Sequence, residues 1–172
     1  MKNIIAAALI GLALAFTTSA QIKSFYTSTS DKICKEKKAE PNEGGDYIGI
    51  CPGVAGYKLQ LIEGDLRQTL FVITPQKKEL PLEFNRFYMT FSAIGQKVEW
   101  RVKNGKPIAL IARYNVADAE NSEKRTSYLM VSKVSNAAAC VTDVVPPGKD
   151  QNTLARELAD TAASKPCKKS DQ

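Results

Sequence analysis

GICPGVAGYKLQLIEGDLRQTLFVIT, residues 49–74, decides the fold. Tyr57, Leu59 and Leu61 alternate with Lys58 and Gln60, the period-two pattern of a half-buried strand. Glu63-Gly64-Asp65 turns the chain, and Leu66 to Thr74 returns as a second strand, apolar on both faces from Leu70 to Ile73. Gly64 is expected to take the positive φ that a tight hairpin demands. Just upstream, Asp46 to Cys51 reads as a short strand stopped by Pro52-Gly53.

Working outward, Gln21 to Thr29 alternates loosely and suggests a first strand, and the polar stretch Asp31 to Gly45 is a loop carrying Cys34. After the hairpin, Phe84, Phe87, Tyr88 and Phe91 fall at helical spacing, although Asn85, Thr90 and Ser92 are poor helix formers. An aromatic group of this size is expected to plug one end of the core, the alternative being a ligand-binding groove. Gln96 to Val102 and Lys106 to Asn115 are two strands joined at Asn104-Gly105, a dipeptide suited to a type I′ turn. A charged loop from Asp118 to Arg125 leads to strands at Thr126 to Val134 and Ala138 to Val145. Leu154, Ala155, Leu158, Ala159 and Ala162 then form the apolar stripe of a helix. Asp150 or Asn152 is placed to cap it, Arg156 and Asp160 to pair along it, and Pro166 to stop it. The expected fold is α+β: a mainly antiparallel sheet with one C-terminal helix packed on it.

The first twenty residues read as a signal peptide. Lys2 precedes an apolar run from Ile4 to Phe16, and Thr17-Thr18-Ser19-Ala20 is a small-residue cleavage end. Residues 21–172 form the expected single exported domain, periplasmic or secreted, with no further run long enough to span a bilayer. The leader carries one lysine and no acid, so the net charge of +6 becomes +5 on its removal. Dispersed lysines of this kind favour anionic partners such as the cell envelope, and nucleic acid is not expected. Cys34, Cys51, Cys140 and Cys167 are an even set in an exported chain and therefore read as two disulfides. Of three pairings, neighbourhood in sequence favours Cys34–Cys51 with Cys140–Cys167.

The 172 residues contain no histidine. That removes the Ser-His-Asp triad, Cys-His nucleophiles and histidine-ligated zinc, and no Walker or GxGxxG loop is present. No metal or cofactor is expected. Two charged groupings remain. Asp65 and Arg67 stand at the hairpin corner with Glu63, and Glu99 and Arg101 flank the single tryptophan, Trp100, on one strand face. These four residues, Asp65, Arg67, Glu99 and Arg101, are the candidate ligand-binding set, on neighbouring strands that allow cross-strand charge pairs.

The segments CPGVAGY (residues 51–57), EGDLRQ (63–68), IGQKVEWR (94–101) and NTLARELAD (152–160) resemble a group of short exported proteobacterial proteins. The resemblance covers most of residues 21–172. It implies a secreted single domain with the disulfides above and transfers no activity, because none is attached to the group. The expected function is therefore a non-enzymatic exported domain that binds a protein or envelope component, of the general type of small stapled inhibitors. The alternatives are a carboxylate-based polysaccharide hydrolase using Glu63, Asp65 and Glu99, or an electrostatic binder of the cell envelope.

Overall fold

Alternating apolar residues and turn-forming dipeptides produce ten strands and one α-helix among the described residues. In chain order these are β1 (Lys23–Ser28), β2 (Lys35–Glu36), β3 (Tyr47–Pro52), β4 (Lys58–Gly64), β5 (Arg67–Ile73), β6 (Glu79–Pro81), β7 (Ser92–Lys103), β8 (Lys106–Ala117), β9 (Arg125–Val134), β10 (Ala139–Val145) and α1 (Gln151–Asp160). The structure is a computed structural model that describes residues 21–37 and 47–169. The expected signal segment, residues 1–20, and most of the Cys34 loop, residues 38–46, lie outside the described residues.

Across the sheet the order is β10-β9-β8-β7-β5-β4-β3-β2, with β1 added to β7 and β6 to β5. Every pairing is antiparallel except β5–β7, which is a single parallel bridge between Arg67 and Ser92. The sheet forks there. β7 continues along β8, and its residues Lys97 to Val102 take β1 on the edge that β5 has left. An irregularity between Ile94 and Val98 marks the change of partner.

Both arms of the fork turn one face inward on a shared core. Leu59, Leu61, Leu70 and Val72 come from β4 and β5, and Val98, Trp100, Leu110, Tyr114 and Met130 from β7 to β9. Each aliphatic side chain among them contributes roughly 1.5–3 kcal/mol when fully buried. A second, smaller core lies on the outer face, where Ala109, Ile111, Leu129, Val131 and Val145 meet Ala155, Ala159 and Ala162. The helix thus packs on one sheet face, as its apolar stripe implies, through small residues that let it approach closely. The disulfides are Cys34–Cys51 and Cys140–Cys167.

Turn chemistry explains one match and one departure. Asn104 and Gly105 carry φ of 51° and 73° between the paired Lys103 and Lys106, the expected two-residue hairpin. At the β4–β5 corner, however, Gly64 pairs with Arg67 and remains strand. The left-handed positions fall one residue later, on Asp65 (52°) and Leu66 (56°). Register, fixed by the inward Leu59, Leu61 and Leu70, overrides the glycine.

The helical spacing of Phe84 to Phe91 does not produce an α-helix. One 3-10 turn, Phe84–Arg86, is followed by extended chain entering β7 at Ser92. Phe84 is buried edge-on to Tyr114, with ring centres 5.6 Å apart, so this aromatic does plug the core. Asp150 is the helix N-cap but makes no side-chain capping bond. The helix ends at Asp160, six residues before Pro166.

Candidate functional site

Glu99 and Arg101 lie on the outer face of β7, facing α1, and the helix covers them. Arg101 donates in bidentate fashion to Asp160, Nε to Oδ1 at 2.7 Å and Nη2 to Oδ2 at 2.8 Å. Arg156 Nε reaches both oxygens of Glu99, at 2.9 and 3.2 Å. Ser24 on β1 donates to Glu99 at 2.5 Å and also accepts from Arg101. Arg156 and Asp160 therefore do not pair along the helix. Each reaches down to β7, where a buried opposite charge is a stronger attractor than a solvated neighbour. Burial alone would raise the Glu99 pKa. Hydrogen bonds from Arg156 and Ser24, with the Arg156 charge, outweigh it and hold the carboxyl below its usual range. Asp160 likewise raises the Arg101 pKa. The group clamps helix to strand, and Arg101, only 9% exposed, is closed to a ligand.

Asp65 and Arg67 sit elsewhere, at the tip of the β4–β5 hairpin. Arg67 Nη2 bonds Asp65 Oδ2 at 2.6 Å, and the Asp65 side chain is 73% exposed. The structure does not join this pair to Glu99 and Arg101. It joins it to an apolar group, because three connections meet at this end of the sheet: residues 65–66, 87–91 and 118–124. The Ser92 amide donates to the Leu66 carbonyl at 3.0 Å, the Ala117 amide to the Phe91 carbonyl at 2.8 Å, and Thr90 Oγ1 to the Ala117 carbonyl at 2.7 Å. The third connection is braced by its own aspartate: Asp118 Oδ1 accepts from the amides of Glu120 and Asn121, the local bonding that suits this residue to corners.

Beneath the loops, Tyr88 stacks on Tyr128 at 4.6 Å, and Ser92 Oγ and Tyr114 OH share a buried hydrogen bond of 2.6 Å. The loops rest on this floor. Above it Leu66, Met89 and Phe91 are 59%, 67% and 43% exposed. Met89 and Phe91 line a depression of about 250 Å³ with Asp65, Arg67 and Asp118. Sequence reading singled out Phe91 with the other aromatics but missed Leu66 and Met89 beside it. The available signal was Leu66 itself, an apolar residue in a turn where polar ones are usual.

The three carboxylates of the hydrolase reading do not share a cleft. Glu63 accepts from Gln68 at 2.5 Å in a depression beside Tyr47, Asp65 lies at the hairpin tip, and Glu99 is held under the helix. A lowered pKa at Glu99 is also the opposite of what a general acid needs. No protein-family model, curated protein or solved structure matches the chain.

Proposed function

We propose that the protein is a non-enzymatic exported binding domain that docks a partner protein through the loop end formed by Leu66, Met89 and Phe91. The observation that carries this reading is Leu66, a non-glycine residue held at φ 56° while largely exposed. A left-handed leucine costs about 1–2 kcal/mol relative to a permitted conformation, and its side chain recovers little by burial here. Such strain is typical of positions kept for contact with something else. Met89 and Phe91 extend the apolar patch, and the Asp65–Arg67 pair supplies a polar rim. The two disulfides accord with an extracytoplasmic location. Among the described residues no helix is long and apolar enough to cross a membrane.

The test is affinity capture from envelope extract with the wild-type chain and with Leu66→Gly/Met89→Ser. A specific partner held by the wild type and lost by the variant, with the variant folded, is the expected result. Equal retention by both would overturn the reading.

A further inference from the structure

A second charged depression lies on a different part of the surface. On β8 the outward residues Ala109, Ile111 and Arg113 follow one another, the first two buried under α1. Arg113 emerges at the N-terminal end of the helix. Its stem crosses Gly95, where a Cβ would lie 2.9 Å from Arg113 Cβ and 3.5 Å from Cγ. Gly95 belongs to the irregular part of β7, where the absence of a side chain leaves room for this arginine.

The Arg113 guanidinium donates to Ser127 Oγ at 2.8 Å, Gln151 Oε1 at 3.3 Å and Asn152 Oδ1 at 3.5 Å. All three acceptors are neutral, and Arg113 forms no ion pair among the described residues. It also stands against the first helical turn, which contains no acid. A cation beside the positive end of a helix is electrostatically unfavourable. The side chain of Asp150, the exposed N-cap, caps no amide of that turn. Lys97 and Arg156 line the same depression of about 230 Å³, with Tyr26 and Asn152. Lys97 lies 6.0 Å from the Tyr26 ring centre. Among the described residues the one carboxylate lining it is Glu99, already shared among Arg156, Ser24 and Arg101. Three cations and one engaged carboxylate leave a local excess of positive charge.

We infer that this depression binds a phosphate group, with Arg113 as its principal donor and Lys97 and Arg156 completing the charge. An arginine fork matches a phosphate's oxygens, and a doubly charged oxyanion fits the local excess better than a single carboxylate. Inorganic phosphate, a soluble phosphomonoester and a lipid headgroup that ends in a phosphomonoester share this chemistry. The site does not depend on the loop end.

Thermal unfolding and amide chemical shifts test it, using inorganic phosphate against sodium chloride at matched ionic strength. Phosphate is expected to raise the Tm beyond the chloride control and to shift the amides of Lys97, Arg113 and Asn152. Arg113→Gln is expected to weaken the response about tenfold or more. Lys97→Gln serves as a second variant should Arg113→Gln fail to fold, and is expected to weaken it several-fold. Lys168→Gln/Lys169→Gln, which line a different depression beside Cys167, and Leu66→Gly are expected to leave it unchanged. Vesicles containing phosphatidic acid, whose headgroup is a phosphomonoester, distinguish the sources: retention lost in Arg113→Gln assigns a lipid headgroup, and a phosphate response without retention assigns a soluble phosphate. No response beyond chloride, or an equal one in Arg113→Gln and Lys97→Gln, would overturn the proposal.

Discussion

Leu66 and Gly95 show what a single position can carry. Leu66→Gly places a permissive residue at φ 56° and is expected to raise the unfolding free energy by about 1 kcal/mol, read by urea denaturation. A variant that becomes more stable while losing its partner separates function from folding. Gly95→Ala is expected to act in the opposite sense, costing roughly 1–2 kcal/mol, because its Cβ meets the root of the Arg113 side chain rather than a flexible end. Asn104-Gly105 was legible because its residues and its turn coincide. The role of Gly64 was not, because strand register is set by leucines on both sides of the corner and decides which residue must adopt the left-handed conformation.

At the scale of elements, the helix is held by small residues and two ion pairs. Ala159→Leu inserts bulk at a fully buried contact and is expected to cost about 1–3 kcal/mol. Asp160→Asn removes the charge opposite Arg101 and is expected to cost roughly 3 kcal/mol, measured by denaturant unfolding. The Glu99 pKa is lowered in the fold, so its contribution is present above the unfolded value of about 4.3 and is lost as pH falls through the lower folded value. Glu99→Gln is therefore expected to flatten the acid limb of a stability–pH profile. The helix and its apolar stripe were legible from periodicity. Its partners were not: Arg156 and Glu99 are 57 residues apart, and Arg101 and Asp160 are 59 apart, so only the tertiary fold brings them together.

For the whole molecule, the α+β class and both disulfides were legible, since strand alternation, turns and cysteine neighbourhood are local signals. The fork at Arg67 and Ser92 was not, because a single bridge leaves no periodic trace. Cys140→Ser/Cys167→Ser is expected to cost about 3–4 kcal/mol and to increase amide exchange over residues 165–169, which the Lys168 to Val141 hydrogen bond ties to β10. The pairing also has a kinetic side. Each cysteine is joined to its immediate neighbour along the chain, first with second and third with fourth. A polypeptide emerging N-terminus first would present Cys51 to Cys34 before Cys140 or Cys167 appears, and once that pair has closed the last two cysteines have only each other, so oxidation in order of appearance yields the native set without reshuffling.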